Sequence, residues 1–499
     1  MKDKTAHLVG YKHIKNKLNL PDFPIYCTSY VLESGSRRTV VHGGCLEEYY
    51  PKSYFPGDSV FDHLVFSLKY EGIDLLILKN VFKRIDPAEL VEFIRSTPMG
   101  RHHRRLWYLY ENLVGEELDL PDLTRGNYVD LVDSKKFFTA KNIQRKRQRI
   151  NDNLLGDFSF CPSIRRTKKI EGYLKADFEK QCKEIMNAYP PELLRDALAY
   201  LYTQETRSSF RIEQESLSGN KQERFMQLLR GANAEDFLNK PALIELQKKV
   251  IADPRFHRDG YRDSQVYVGS SALGGDVVHL VPPKPADLDE LMEGLFRSAH
   301  RMMESSLNPV LIAAAIAFGF VYIHPFKDGN GRIHRFLIHH ILSRLGFTPP
   351  DFVFPVSAVM YQNARLYQDT LNLFSQPLLQ LVDYSLDHEG FMRVKGDTID
   401  YYRYFDATGI AENLFAFIED TINTEYLKEL DFLKKNAEAK KAVENIVDGL
   451  SHGDVRRFVD CCRSNRFKLS KAKREKFFGM LTDDEIHRLE EVVQDVFEG

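Results

Sequence analysis

Residues 309–340, PVLIAAAIAFGFVYIHPFKDGNGRIHRFLIHH, decide the fold of the chain. Asn308 precedes Pro309, and this pair predicts a helix start, because asparagine caps helices and proline lacks only an N–H that the first turn leaves unbonded. The stretch from Leu311 to Ile323 is apolar on every side, which is typical of a buried helix at the centre of a bundle. The sequence therefore predicts a mainly α fold built around this segment.

A glycine-rich turn follows this helix and predicts a phosphate site. Residues 329–331, Gly-Asn-Gly, permit positive φ angles, which turn successive backbone N–H groups toward one point and form a nest for anions. A second helix, predicted from Arg332 to about Leu345, directs its positive end at the same point. Arg332 and Arg335 lie on one face of its first turn, within reach of phosphate oxygens.

Two side chains beside the turn predict its chemistry. Asp328 is the one carboxylate of the turn and suits a magnesium ion that phosphates already hold. His324 ends the first helix, where an imidazole can take a proton from an attacking hydroxyl. Each feature alone is more often structural, since such turns, lone histidines and paired arginines are common. Their occurrence within residues 324–335 indicates a site for a di- or triphosphate with a general base beside it.

Residues 324–335 resemble the signature of the Fic (Fido) family, His-Pro-Phe-x-Asp/Glu-Gly-Asn-Gly-Arg-x-x-Arg, at every fixed position. A looser resemblance extends over about residues 190–385. Proteins of this family have an all-helical core and mostly transfer AMP from ATP to a hydroxyl on a protein target. The resemblance therefore implies a protein adenylyltransferase that uses ATP and magnesium.

The resemblance also implies a role for each matching residue. His324 would deprotonate the target hydroxyl, and Asp328 would bind the magnesium ion between the α- and β-phosphates. Arg335 would lie over the γ-phosphate, and the remaining phosphate contacts would come from Gly329, Asn330, Gly331 and Arg332. Phe326 would anchor the loop in the core. Lys327 and His334 occupy variable positions and inherit no role.

Two short runs upstream predict a β-hairpin. They are QVYVG at 265–269 and VVHLV at 277–281, followed by Pro282-Pro283. A plain structural hairpin fits this pattern. The resemblance implies instead a flap over the active site that binds the target segment as an added strand, through Gln265, Val266, Tyr267, Val268 and Gly269.

Residues 205–214, ETRSSFRIEQ, resemble the inhibitory motif of the family, Ser/Thr-x-x-x-Glu-Gly/Asn. Ser209 and Glu213 match this motif, whereas Gln214 replaces the usual glycine or asparagine. The resemblance implies that Glu213 pairs with Arg335 and blocks the seat of the γ-phosphate, since both anions need the same guanidinium. An exposed helical glutamate is the alternative.

The texture of the chain predicts three regions. Residues 1–190 are predicted to be a mixed α/β region, with strands at 39–44 and 74–79 and helices at 88–96 and 104–114, and a winged-helix module is one interpretation of it. Residues 191–390 are predicted to form the Fic core with its inhibitory helix, and residues 391–499 a helical C-terminal domain. Downstream of the signature, Tyr361, Asn363, Arg365 and Tyr367 are candidates for lining or supporting the nucleotide pocket.

Composition excludes several classes of protein. The 499 residues are 43% hydrophobic and 28% charged with a formal net charge of −2, which is typical of a soluble globular chain. The six cysteines form no CxxC pair, no P-loop motif occurs, and the longest apolar run, 311–323, is too short to span a membrane. The predicted location is cytoplasmic, with no membrane partner.

Other functions remain open from the sequence alone. The basic stretch at 141–169 is a solvated face or a nucleic-acid contact surface. The site could remove AMP from a modified protein, with Glu213 positioning water, or transfer another nucleotide or phosphoryl group. A regulator that binds nucleic acid and senses nucleotide without turnover is an alternative of another class. A homodimer is compatible with the sequence.

Overall fold

The computed structural model describes residues 6–42, 45–251, 253, 255, 259–272, 275–348, 352–447 and 449–498. The chain is mainly α-helical, as the sequence predicts, with small sheets near the N-terminus and one hairpin beside the central helices. Within the described residues, no helix is both long enough and apolar enough to cross a membrane.

The N-terminal part combines a four-stranded sheet with short helices. The sheet has the order β1-β2-β4-β3, in which β2 and β4 run parallel and the other pairs antiparallel. A second, three-stranded sheet has the order β5-β7-β6. The strands are β1 (Ala6–Val9), β2 (Cys27–Leu32), β3 (Arg38–His42), β4 (Cys45–Tyr50), β5 (Val129–Asp130), β6 (Ile143–Arg145) and β7 (Ile150–Asp152). The helices are α1 (Gly10–Lys17), α2 (Val60–Phe66), α3 (Leu75–Phe82), α4 (Pro87–Ser96) and α5 (Arg101–Val114).

The predicted strand at 74–79 is wrong, because this segment begins helix α3. Asp74 caps the helix by accepting the Ile77 N–H at 3.0 Å. Residues 75–78 are all buried, so they show neither the alternation of a half-buried strand nor a polar helix face. The two predicted helices α4 and α5 are confirmed, and the strand predicted at 39–44 is confirmed over 39–42, while 43–44 lie outside the described residues.

The middle of the chain forms a helical bundle around the predicted central helix. This helix, α12 (Pro309–Ile323), is capped by the Asn308 side chain, which accepts the Val310 N–H at 2.9 Å, and it is buried along its length. It packs mainly against three helices, Leu288–Met303, Asn330–Arg344 and Thr408–Asp420. The helices are α6 (Lys168–Ala176), α7 (Phe178–Ala188), α8 (Pro191–Ile212), α9 (Gly219–Arg230), α10 (Lys240–Ile251), α11 (Leu288–Met303), α12, α13 (Asn330–Arg344), α14 (Val356–Gln362) and α15 (Ala364–Leu381). The hairpin consists of β8 (Val268–Ala272) and β9 (Gly275–Leu280).

The C-terminal part is helical, with one further hairpin at its start. The strands are β10 (Tyr384–Leu386) and β11 (Met392–Val394), and the helices are α16 (Ile399–Arg403), α17 (Thr408–Asp420), α18 (Leu427–Glu444), α19 (His452–Arg463), α20 (Lys471–Phe477) and α21 (Asp483–Glu498). Helix α17 belongs to the core, whereas α19 and α21 pack with the end of α18 in a separate apolar cluster. The domain limits and the winged-helix interpretation stay predictions.

Several arginines of the basic stretch at 141–169 pair with carboxylates, some of which are distant in the sequence. Arg147 contacts Glu111 and Asp122, and Arg165 contacts Asp406. Arg145 contacts Asp152, which also accepts from Arg301 of the core. Much of the positive charge that the linear sequence concentrates here is therefore neutralised in the fold.

We predict that Asp152→Ala destabilises the protein by about 3–5 kcal/mol, since it leaves the mostly buried Arg301 without its anion. Asp152 is 1% exposed and accepts from Arg301 Nη2 at 2.9 Å, Arg145 Nη2 at 3.0 Å and Tyr108 Oη at 3.0 Å. Burial alone would raise the pKa of Asp152, but the two arginines hold this pKa below its usual value. The stabilisation that ionised Asp152 adds to the free energy of unfolding is therefore present at neutral pH and is lost as the pH falls through the lowered pKa.

Urea unfolding followed by the fluorescence of Trp107 measures this effect, since this one tryptophan of the chain is buried in the same region. The matched control is Asp122→Ala, whose carboxylate is 66% exposed and pairs with Arg147. We expect the control to change the free energy of unfolding by about 0.5 kcal/mol or less. Equal losses in the two variants would refute the assignment.

Candidate functional site

The loop between α12 and α13 is locked in place by its own side chains. His324 ends α12 in the left-handed conformation, with φ of 52°. The Asn330 side chain accepts the Phe326 N–H at 3.0 Å and donates to the Phe326 carbonyl at 2.8 Å. Phe326 is 1% exposed, as expected for a core anchor. These contacts fix the loop from 324 to 331, which we call the signature loop.

The backbone of the signature loop presents the start of α13 to a cavity. Gly329 has a φ of 91°, whereas Asn330 and Gly331 already belong to α13, which begins two residues earlier than predicted. The first turn of a helix still offers unbonded N–H groups and a positive dipole end to an anion. A Cβ on Gly331 would lie 2.0 Å from Oε1 of Glu213, so only glycine leaves room for an anion here.

His324 has the protonation state that a general base needs. Its Nδ1 lies 3.2 Å from the Val321 carbonyl, which can only accept, so the proton is on Nδ1 and the lone pair on Nε2. Burial, with a smaller contribution from the charge of nearby Arg262, lowers the pKa of His324 to about 4. The imidazole is therefore neutral at pH 7. It lines a cavity of about 540 Å³ together with Gly331, Glu213 and residues of α14 and α15.

The second arginine of the signature is buried and bonded to the end of helix α8. Arg335 is 0% exposed and donates from Nη2 to Oε1 of Glu213 at 2.8 Å. It also donates from Nε to the Ser209 hydroxyl at 2.8 Å and from Nη2 to the Ser209 carbonyl at 2.7 Å. The structure thus brings together Ser209, Glu213 and Arg335, and the carboxylate lies over the start of α13.

The first arginine of the signature contacts a carboxylate that the sequence reasoning missed. Arg332 Nη1 lies 2.5 Å from Oε2 of Glu215, and Lys221 lies 2.8 Å from the other carboxylate oxygen. Gln214, between the two glutamates, has a φ of 55°, the left-handed region that glycine and asparagine adopt most readily. Glutamine therefore adopts the left-handed conformation at this position of the motif, and a glutamate flanks it on each side.

Helix α8 is held against the core by a buried carboxylate. Glu205 is 0% exposed, and its Oε1 lies 2.8 Å from Nε2 of His339 on α13. Its Oε2 accepts the Ser357 N–H at the start of α14 at 2.8 Å, and the Ser357 hydroxyl donates to the same carboxylate. These bonds fix the position of α8 relative to both helices that flank the cavity.

Asp328 fits the role of a single magnesium ligand. Its carboxylate is 64% exposed, accepts the Gly329 N–H at 2.6 Å and lies 3.2 Å from Arg332. Among the described residues, no cluster of three or more histidine, cysteine, aspartate or glutamate side chains could hold a metal by itself. One carboxylate is sufficient for Mg²⁺ when substrate phosphates supply further ligands.

The hairpin lies at the edge of the same cavity, but its first strand begins later than predicted. Val268 and Gly269 belong to β8, whereas Gln265, Val266 and Tyr267 precede it. Val268 pairs with Leu280, and both line the cavity with His279. The tip at 273–274 lies outside the described residues.

The downstream candidates separate into two groups. Tyr361 and Tyr367 line the cavity opposite His324. Asn363 lies at the junction of α14 and α15, and Arg365 is 97% exposed on its side chain and pairs with Asp369. A second cavity of about 230 Å³ lies between the N-terminal part and the core, and none of the signature residues lines it.

The helical bundle thus places the start of α13, which carries two buried arginines, and a neutral histidine around one cavity. Residues 237–342 match the model of the Fic/DOC family, so the chain contains a Fic/DOC domain. The chain is 35% identical over 119 residues to the protein adenylyltransferase Fic of Aedes aegypti, an alignment that covers 23% of this chain and 22% of that protein. It is 39% identical over 109 residues to the protein of the same name from Drosophila persimilis, covering 21% and 20%.

The similarity to these relatives is confined to the domain, since the chain spans about a fifth of their length. A Fic family protein from Desulfovibrio desulfuricans G20 is a looser structural match, with a TM-score of 0.40 and 16% identity over 64% of this chain and 89% of that one. A Fic domain containing signaling protein from Bacteroides thetaiotaomicron VPI-5482 has a TM-score of 0.39 and 17% identity over 52% and 97%.

We predict that Glu213→Ala and Glu215→Ala each tighten binding of ATP by about tenfold or more. Each change frees one arginine for a phosphate, and a charge-assisted hydrogen bond contributes about 1.5–3 kcal/mol. Calorimetric titration with ATP and magnesium measures the affinity. The control is Glu223→Ala, an exposed glutamate on α9. Wild-type affinity in both test variants would show that these carboxylates do not compete with the phosphates.

Proposed function

We propose that this chain transfers AMP from ATP to a hydroxyl side chain of a protein and is autoinhibited by Glu213. The observation that carries the proposal is the position of the Glu213 carboxylate. It lies on Arg335, over the start of α13 and in the cavity that His324 lines. A carboxylate held in this way occupies a seat suited to a phosphate.

The transfer would use His324 as the base. Nε2 of His324 takes the proton of a Ser, Thr or Tyr hydroxyl as its oxygen attacks the α-phosphorus in line. The new O–P bond forms, the bond from the α-phosphorus to the bridging oxygen breaks, and pyrophosphate leaves. The N–H groups at Gly331, with Arg332 and Arg335, stabilise charge on the phosphates. Asp328 would hold magnesium, which supplies further neutralisation of the phosphate charge when bound.

Autoinhibition would follow from the two contacts at the end of α8. ATP needs the Arg335 guanidinium free for its γ-phosphate. In the structure this guanidinium donates to the Glu213 carboxylate and to the Ser209 hydroxyl instead. Glu215 holds Arg332 at the same time. Release of the turn at Gln214 would free both arginines together, because one short segment carries both glutamates.

The acceptor is proposed to be an extended protein segment. The hairpin borders the cavity that contains His324, so a strand added along it would carry a hydroxyl toward the base. Main-chain bonding of this kind selects extended conformation more than sequence. The proposal therefore includes ATP and a protein with a hydroxyl side chain as partners, and it leaves nucleic acid and a homodimer without a specific observation in their favour.

The proposal is tested by the intact mass of the Glu213→Ala variant after incubation with ATP and magnesium. We expect the mass of one or more adenylyl groups to be added, because freeing Arg335 allows productive seating of ATP. The control is Glu213→Ala combined with His324→Ala, which we expect to bind ATP with similar affinity and to add at least about 100-fold less AMP.

The other outcomes discriminate between the alternatives. An added phosphoryl mass would redirect the reaction class, and undiminished AMP addition without His324 would remove this residue as the base. No added mass, combined with loss of AMP from a modified protein in the wild type, would favour the reverse reaction with Glu213 positioning water. No added mass and tight, salt-dependent binding of duplex DNA would favour the nucleotide-sensing regulator.

A further inference from the structure

Arg262 is a buried arginine that connects the signature loop to both ends of the hairpin. It is 3% exposed and lies just before β8. Its Nε donates to the carbonyl of His324 at 2.9 Å, its Nη1 to that of Ser264 at 3.0 Å and its Nη2 to that of Pro283. Its backbone N–H donates to the carbonyl of Pro325 at 2.8 Å. One residue thus bonds four main-chain groups around the base and the hairpin.

The buried guanidinium donates to neutral carbonyl oxygens and to no carboxylate of the described residues, so its burial is costly. Burial lowers the pKa of Arg262 to about 10. In the described part of the chain, the hydrogen bonds of its side chain all go to main-chain carbonyls. Burying a charge is tolerated only where good geometry offsets the lost hydration. The planar fork of an arginine can hold three separate carbonyls at fixed angles, which a lysine cannot do.

The partners of Arg262 explain what its geometry constrains. His324 has the strained left-handed backbone, with φ of 52°, and Arg262 bonds the carbonyl of this same residue. Ser264 precedes the first strand of the hairpin, and Pro283 follows the second. Near Pro283, the Gln265 side chain donates to the Pro282 carbonyl at 2.9 Å and closes the base of the hairpin further.

We propose that Arg262 is a positioning residue that holds the base His324 and the target-binding hairpin in one rigid frame. This inference rests on the proposed function, because it concerns the approach of the acceptor hydroxyl to Nε2. Arg262 contacts neither Arg332 nor Arg335 in the described structure, so it acts on the acceptor side of the reaction and not on the phosphate site.

The test is Arg262→Gln in the Glu213→Ala background, with the ATP dependence of AMP incorporation as the readout. We expect the maximal rate to fall by about 100-fold, since misplacement of a catalytic group by about 1 Å has such an effect. The ATP concentration at half-maximal rate should change by less than about threefold, because the phosphate contacts are intact. Arg456→Gln, at a 75% exposed side chain in the C-terminal cluster region, is the control and should change neither value.

Two results would overturn the proposal. One is a maximal rate within twofold of the parent. The other is a rise in the half-saturating ATP concentration as large as the fall in rate, which would indicate a general structural effect. If Arg262→Gln gives no cooperative melting transition, Arg262→Lys is tested by the same comparison of the maximal rate with the half-saturating ATP concentration. This variant keeps the charge and loses the three-way bonding.

Hydrogen exchange separates this inference from the proposed function. If the Glu213→Ala parent adds no AMP, the proposed function fails, and exchange still tests the frame. We expect Arg262→Gln to speed amide exchange in peptides covering residues 262–283 and 321–331, with peptides of α19 and α21 unchanged. Unchanged exchange in both site regions would refute the positioning role whatever the chemistry.

Discussion

The buried guanidinium of Arg335 is the constraint on which the site depends. A fully buried cation is very costly without an anion, so this position demands a carboxylate or a phosphate at all times. In the structure the demand is met by Glu213, with Ser209 accepting beside it. In the proposed function, the same requirement suits the site to a polyphosphate, with the carboxylate at the end of α8 as its competitor.

The rest of the bundle holds Glu213 and Glu215 within reach of the two signature arginines. Glu205 ties α8 to α13 and α14 from within the core, so the helix stays in place while the turn after its end carries Glu213 and Glu215. Helix α8 is therefore firmly packed, whereas the turn at Gln214 after its end is short and strained. Under the proposed autoinhibition, activation requires only this turn to move, and the core that positions His324 is preserved.

The sequence predicted the centre of the fold well because its signals are local. An apolar helix, an Asn-Pro start and glycines at the turn each act over a few residues, so α12 was placed correctly and the start of α13 to within two residues. The strand predicted at 74–79 failed because a short buried run has no periodicity to read. Glu215 was missed because only the left-handed Gln214 brings it to Arg332, and Arg262 was missed because its partners are main-chain carbonyls up to 62 residues away.

The most direct test of this account is a crystal structure of the Glu213→Ala variant with ATP and magnesium. The account predicts that an oxygen of the γ-phosphate lies within hydrogen-bond distance of the Arg335 guanidinium, in the space that the Glu213 carboxylate occupies in the wild type. The α-phosphate should then face Nε2 of His324 across the cavity. A triphosphate bound elsewhere, or an Arg335 that takes another protein carboxylate while ATP is bound, would contradict the central claim.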